Sequence, residues 1–125
     1  MPELKFLIVD DSPTMRRIVF NTLKRLGYNE IDEAEHGAEG MEKLRSIPGI
    51  NFVVTDWNMP VMDGLQFVKE IRAAEEFKTI PILMVTTRSV KDDIIDAMKA
   101  GVNNYVVKPF TPEVLKAKID LIMSK

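Results

Sequence analysis

Apolar residues along the chain fall into two alternating patterns. Short unbroken apolar runs occupy residues 6–9, 52–54, 82–85 and 105–107, with a weaker run around Ile31. Runs this short, with no polar alternation, are what strands covered on both faces look like. Between them lie longer segments with a helical period. Met15, Ile18, Val19, Thr22, Leu23 and Leu26 recur at i, i+3, i+4, i+7, i+8 and i+11, which draws one stripe along a helix. Ala38, Met41 and Leu44 draw a second stripe, Leu65, Val68 and Ile71 a third, Ile94, Ala97 and Met98 a fourth, and Leu115, Ile119 and Ile122 a fifth.

The punctuation agrees. Gly27 and Gly101 fall where helices should stop in a left-handed cap. Ser12-Pro13 and Thr111-Pro112 read as an N-cap followed by a first-turn proline. Pro60 and Gly64 bracket a loop ahead of the third helix. Strand and helix thus alternate five times. That predicts an α/β fold, a single doubly wound five-stranded parallel sheet with five helices on its two faces. The expected strand order is 2-1-3-4-5, the flavodoxin-like arrangement, in which ligands bind beyond the carboxyl ends of the strands. With 125 residues and no linker or repeat, residues 1–125 are expected to be one domain.

Composition removes several function classes. Lys and Arg number 17 against 19 Asp and Glu, a net charge of -2, which argues against nucleic acid as a partner. The absence of cysteine excludes disulfides, thiolate metal sites and a cysteine nucleophile. One histidine, His36, cannot build a multi-histidine metal cluster within the chain, and it reads as an exposed loop residue. No apolar run approaches the roughly 20 residues of a membrane span. With no secretion-type leader either, the expected location is the cytoplasm, away from membranes.

The strand ends carry the candidate chemistry. The first strand ends at Asp10-Asp11, the third at Asp56, the fourth at Thr86-Thr87, and the fifth just before Lys108-Pro109. Strands one and three are neighbours in the expected order, so the three carboxylates should converge. At about 4 Å and an effective dielectric of about 20, each like-charge pair costs on the order of 4 kcal/mol. Either a proton is taken up or a cation sits there. A hard divalent ion with oxygen ligands fits, and Mg²⁺ is the intracellular choice. The Lys108 ammonium and the Thr86 hydroxyl would complete a set of groups suited to phosphoryl oxygens. Asp56 is then the candidate nucleophile, forming an aspartyl phosphate. Singly, each signal has an ordinary alternative, a helix cap for Asp10-Asp11 or a turn for Lys108-Pro109. It is their joint placement that points to a site.

Several stretches carry a family pattern. They are Leu7-Ile8-Val9-Asp10-Asp11, Thr14-Met15-Arg16-Arg17, Thr55-Asp56-Trp57-Asn58-Met59-Pro60, Met62-Asp63-Gly64, Met84-Val85-Thr86 and Tyr105-Val106-Val107-Lys108-Pro109-Phe110-Thr111. The chain resembles, over its whole length, the receiver domain of two-component response regulators, and in particular the chemotaxis branch. The resemblance implies that Asp56 accepts a phosphoryl group from a phosphohistidine on a sensor histidine kinase. Asp11 and Asp56 would ligate Mg²⁺ with the backbone carbonyl of Asn58, and Asp10 would hold the ion through water. Lys108 and Thr86 would contact the phosphoryl oxygens. Water would later release the group, so the protein is a switch with intrinsic self-dephosphorylation rather than an independent enzyme. The Lys108-Pro109 bond is expected to be cis.

The resemblance also implies an output. Thr86 moves toward the phosphoryl group, and Tyr105 fills the space it leaves. The helix 4, strand 5 and helix 5 face then binds a flagellar motor switch protein, with Lys91, Lys99, Tyr105 and Lys118 as the partner face and Lys116 on the same basic rim. A phosphatase is a further partner of the class, and a monomer is expected. Full conversion of a two-state element from 1:99 to 99:1 needs about 5.5 kcal/mol, so switching by phosphorylation alone should be graded. Arg88 stands where this branch often has Glu, which bears on the phosphoryl lifetime. Trp57, the only tryptophan, should report events at its neighbour Asp56. Other functions fit less well. A dehalogenase-type phosphohydrolase needs a second Asp where Asn58 stands. A flavodoxin-type electron carrier would meet repulsion between its flavin phosphate and Asp10-Asp11. A stand-alone receiver acting as a phosphate sink or phosphorelay intermediate would share the same site.

Overall fold

The computed structural model describes residues 3–124. Ten elements alternate along the chain: β1 (Lys5–Val9), α1 (Pro13–Arg25), β2 (Glu30–Ala34), α2 (Gly37–Ser46), β3 (Phe52–Thr55), α3 (Gly64–Ala73), β4 (Ile82–Thr86), α4 (Lys91–Ala100), β5 (Asn104–Val107) and α5 (Pro112–Met123). The five strands form one sheet in the order β2-β1-β3-β4-β5, and all pairs are parallel. Both the order and the alternation are those expected from the apolar pattern.

The strands alternate side chains between two cores. Phe6, Ile8, Phe52, Val54, Leu83, Val85 and Val106 face α1 and α5, meeting Val19, Leu23, Leu115 and Ile119. Leu7, Val9, Val53, Ile82 and Met84 face the other way and meet Met41, Phe67, Val68, Ile71 and Ala97 from α2, α3 and α4. Phe67 is fully buried, and its ring lies where a Cβ on Gly40 would go, so α2 and α3 pack closely there. Deleting that ring would cost about 3–5 kcal/mol. β2 is the edge strand next to β1. Its Glu-Ile-Asp-Glu-Ala sequence leaves charged side chains at the surface, which discourages pairing with another chain.

Caps set the helix starts that surround the site. The Ser12 hydroxyl accepts from the Met15 N–H at 3.2 Å, and the Thr111 hydroxyl from the Val114 N–H at 3.2 Å. Asp63 caps α3 through the Gln66 N–H at 2.9 Å. His36 corrects the expectation of an exposed loop residue. It is half-buried and caps α2, its Nδ1 accepting from the Glu39 N–H at 3.1 Å. Histidine is not a usual cap residue, so no local pattern marks this role. By contrast α4 starts at Val90 without any side-chain cap and fully buries only Ala97. Gly27 and Gly101 adopt the left-handed backbone expected of them, with φ of 100° and 121°. No helix among the described residues is long and apolar enough to cross a membrane.

Candidate functional site

The carboxyl ends of β1, β3, β4 and β5 converge at one edge of the sheet. Asp10 follows β1 and Asp56 follows β3, and the Asp56 N–H donates to the Val9 carbonyl at 2.9 Å. That bond carries the β1–β3 register one residue past the sheet. Asp10, Asp11 and Asp56 each place a carboxylate oxygen within 4.8 Å of the others. Asp10 and Asp56 are buried, while Asp11 is exposed at the rim. Two inner acids and one outer acid make a pocket that opens to solvent on one side.

Repulsion between the inner acids is met by Lys108. Its Nζ donates to Asp10 Oδ2 at 2.9 Å and to Asp56 Oδ2 at 3.1 Å, and the lysine side chain is 8% exposed. The lysine backbone is held as well. Its N–H donates to the Thr86 carbonyl at 2.8 Å, and the Lys108-Pro109 peptide is cis. The remaining acid oxygens are also held. Asp10 Oδ1 accepts from the Ser12 N–H at 2.9 Å, and Asp56 Oδ1 from the Trp57 N–H at 2.6 Å. Burial nevertheless dominates at Asp10 and pushes its carboxyl above the ordinary value of 3.8, against the opposing pull of the Ser12 N–H and Lys108. A buried carboxyl that resists ionisation beside two others is a donor set short of positive charge. All-oxygen ligands in this arrangement fit a hard divalent cation such as Mg²⁺.

The loop after β3 is built to keep its backbone close. A Cβ on Gly64 would overlap the Asp56 carbonyl oxygen, and the Gly64 N–H donates to the Trp57 carbonyl at 2.7 Å. Thr86, at the end of β4, is fully buried. Tyr105 on β5 is buried as well, and its hydroxyl donates to the Arg88 carbonyl at 2.8 Å. The exposed face beside it is formed by Lys91, Lys99, Ile95, Met98 and Val107, with Lys118 half-buried on α5. Lys116 is drawn into an ion pair with Asp120 at 2.7 Å.

Sequence reasoning missed two features here. Asp93 on α4 reaches the site through Arg88, at 3.3 Å. Arg16 on α1 donates to the Asp10 carbonyl at 2.7 Å while pairing with Glu33 at 3.3 Å. Arg88 and Asp93 are five residues apart and Arg16 and Asp10 six, but neither spacing follows a helical or strand period that would mark the contact in the sequence. Asn58 is exposed, and its side chain accepts from Arg88.

An acidic crevice at the switch point of a doubly wound sheet, with a lysine spanning two of its acids, defines a class of phosphate-handling proteins. Comparison with known proteins narrows the class. The response regulator receiver domain profile matches residues 6–120. Chemotaxis protein CheY1 of Helicobacter pylori J99 is 57% identical over 120 residues, covering 96% of this chain and 97% of that protein. A chemotaxis protein CheY homolog of Campylobacter jejuni is 52% identical over 120 residues, covering 96% and 92%. Among solved structures, CheY4 of Vibrio cholerae superposes with a TM-score of 0.87 at 36% identity, covering 97% and 99% of the two chains. The CheX–CheY–BeF3–Mg complex of Borrelia burgdorferi superposes with a TM-score of 0.89 at 26% identity, covering 98% and 90%. The chain belongs to the response regulator receiver family, on its chemotaxis branch.

Proposed function

We propose that Asp56 is the phosphoryl acceptor of this chemotaxis response regulator. The observation that carries the reading is the pocket in which three carboxylates lie within 4.8 Å and Lys108 spans two of them. An Asp56 carboxylate oxygen attacks the phosphorus of a phosphohistidine on a sensor histidine kinase. The N–P bond breaks, an acyl phosphate forms, and the histidine leaves as neutral imidazole after taking up a proton. Asp10, Asp11 and Asp56, with the Asn58 carbonyl, would hold Mg²⁺, which would supply charge neutralisation for the phosphoryl oxygens. Lys108 exchanges its bond to Asp56 for a phosphoryl oxygen, and the Thr86 hydroxyl donates to another. Water hydrolyses the acyl phosphate, so the signal is self-limiting.

Output runs through the α4–β5–α5 face. Lys91, Lys99 and Lys118 offer positive charge around the apolar Ile95, Met98 and Val107, which suits an amphipathic acidic segment of a flagellar motor switch protein. The relatives' chemotaxis names favour this output over a phosphate sink or relay. The protein acts in the cytoplasm as a monomer. A phosphatase that shortens the phosphoryl lifetime is a further partner, in keeping with the CheX-bound Borrelia neighbour.

The test is intact mass after incubation with Mg²⁺ and a small acyl phosphate. A gain of one phosphate that disappears in Asp56→Asn is expected. No gain in the native chain, or a gain retained in Asp56→Asn, overturns the assignment. If phosphorylation leaves the affinity for a motor switch peptide unchanged, the output is the sink or relay instead.

A further inference from the structure

Arg88 lies two residues beyond Thr86, in the irregular segment between β4 and α4. Its guanidinium is held on three sides. The guanidinium carbon sits 4.4 Å from the centroid of the Trp57 ring. Nε and Nη2 donate to Asn58 Oδ1 at 3.0 and 2.8 Å. Nη1 pairs with Asp93 Oδ2 at 3.3 Å. The backbone of the same residue carries the switch contact, since its carbonyl accepts the Tyr105 hydroxyl at 2.8 Å. One residue thus joins the loop after Asp56, the first turn of α4 and the ring on β5.

We propose that the Arg88 side chain is a positioning residue that holds Tyr105 inward through the Arg88 carbonyl. A hydroxyl–carbonyl bond adds little net stability, and only while its acceptor stays in place. The Arg88 carbonyl belongs to a segment with no helix or strand to fix it. Nor does α4 fix it from the far side, because Val90 provides no side-chain cap and α4 fully buries only Ala97. Among the described residues, the pair to Arg88 is the only side-chain hydrogen bond on the first turn of α4. The brace supplies what the backbone lacks. A guanidinium stacked on an indole and forked onto a carbonyl oxygen has little rotational freedom, so its own main chain is pinned. Tyr105 then finds a stationary acceptor.

The proposal deepens the switch reading of the site, because Asn58 stands two residues past Asp56. A shift of that loop loosens the Asn58 contact, and the loosening is passed to Tyr105. Reciprocally, holding Tyr105 inward favours one position of the Asn58 loop. Arg88 therefore biases the Tyr105 equilibrium toward the inward ring.

The experiment uses the full chain labelled with 3-fluorotyrosine and no phosphodonor. Only Tyr28 and Tyr105 carry the label, so two fluorine signals appear, assigned with Tyr28→Phe. The readout is the change of each shift between H2O and D2O, which reports exposure. Tyr105 is expected to be shielded in the native chain. In Arg88→Ala the inward-to-outward ratio should fall roughly tenfold, the effect of losing one charge-assisted contact set. Arg88→Lys should fall in between, since it keeps a charge for Asp93 but loses the fork and the stack. Tyr28, at the opposite end of the sheet, is the internal control and should not move. A double variant, Asn58→Ala with Asp93→Asn, leaves Arg88 in place and should expose Tyr105 too, and it decides the matter if Arg88→Ala fails to fold. Tyr105 remaining shielded in these variants, or Tyr28 moving as much as Tyr105, overturns the proposal. The measurement involves no phosphate, so it stands or fails separately from the assignment of Asp56.

Discussion

Two arginines hold opposite ends of the molecule, and they do so with different kinds of partner. Arg72, at the end of α3, fastens the turns that precede β4 and β5. Its Nε and Nη2 donate to the Gly101 carbonyl at 3.0 and 2.7 Å, and its Nη1 to the carbonyls of Lys78 and Ile80 at 3.0 and 2.7 Å. Nη2 also reaches Asn103 Oδ1 at 3.1 Å, an oxygen that in turn accepts from the Ile82 N–H at 2.7 Å. Among the described residues no carboxylate pairs with this guanidinium, and burial lowers its pKa without threatening its charge. Arg88, at the far end, has only side chains as partners: an amide oxygen, a carboxylate and an indole face. Backbone carbonyls in tight turns cannot rotate away, whereas side chains change rotamer. The first arrangement makes a fixed base. The second makes a joint with more than one position.

The largest effect should follow from breaking the fixed end. Arg72→Ala leaves several turn carbonyls without a donor, and loss of about 3 kcal/mol is expected in urea unfolding. Phosphoryl uptake, measured by mass at a temperature where the variant stays folded, should be unchanged. A stability loss from Arg88→Ala as large as that from Arg72→Ala would erase the distinction between the two ends.

Lys108→Ala tests the electrostatics at the joint. It removes the ammonium that lies between two buried carboxylates. Without divalent cation the variant should lose about 2 kcal/mol of stability at neutral pH. Mg²⁺ should compensate, because it no longer competes with an ammonium, and its affinity should rise about tenfold by Trp57 fluorescence. Phosphoryl uptake should fall in the same variant. Mg²⁺ binding that weakens instead would mean that the lysine helps assemble the acid pocket rather than competing with the ion.

A smaller effect is expected from pH. The carboxyl of Asp10 is raised above 3.8 in the folded protein, chiefly by burial. The folded state therefore holds that proton more tightly than the unfolded chain does. The resulting stabilisation is present below the ordinary carboxylate range. It is lost as pH rises from that range through the raised folded value. Asp10→Asn should remove this slope in metal-free buffer and be the more stable protein at neutral pH. Urea midpoints at stepped pH for both proteins would check it. Parallel curves would mean that Lys108 already cancels the burial cost.

The sequence was legible where chemistry and periodicity are local. The strand runs, the two proline-led caps and the left-handed glycines all stand in the structure where their patterns put them. So do Asp10, Asp11 and Asp56, because strand order alone brings the ends of β1 and β3 together. What was not legible depends on contacts between distant segments. Lys108 could be placed at the mouth of the pocket, but not its bridging of Asp10 and Asp56. Arg88 and Trp57 each stood out, yet nothing local says that one stacks on the other or that Asp93 completes the group. Arg72 gave no signal at all, since an arginine in the last turn of a helix is ordinary. Tyr105 could be placed on the fifth strand beside Thr86, but not its bond to the Arg88 carbonyl in the segment after β4. His36 was misplaced because its cap bond comes from a residue type that seldom caps.

The smallest predicted effect concerns the loop that joins the acid pocket to α3. Val61 has a φ of 66° and is 81% exposed. A β-branched side chain in the left-handed region costs roughly 1–2 kcal/mol. Neighbouring contacts hold it there. The Met62 N–H donates to the Pro60 carbonyl at 2.7 Å, and the Met62 carbonyl accepts from the Gly37 N–H at 3.0 Å. Gly37 leaves no room for a Cβ against Met62, so the loop is wedged on the start of α2. Val61→Gly relieves the strain but adds freedom to the unfolded chain, and the two terms nearly offset. A net gain of about 0.5 kcal/mol is expected. Val61→Asn should gain a similar amount without the unfolded-state penalty. If the strain is local, neither change alters the Trp57 response to Mg²⁺. If that response shifts with either variant, the strain belongs to the joint end of the molecule, and the loop that carries Asn58 is biased by Val61 as well as by Arg88.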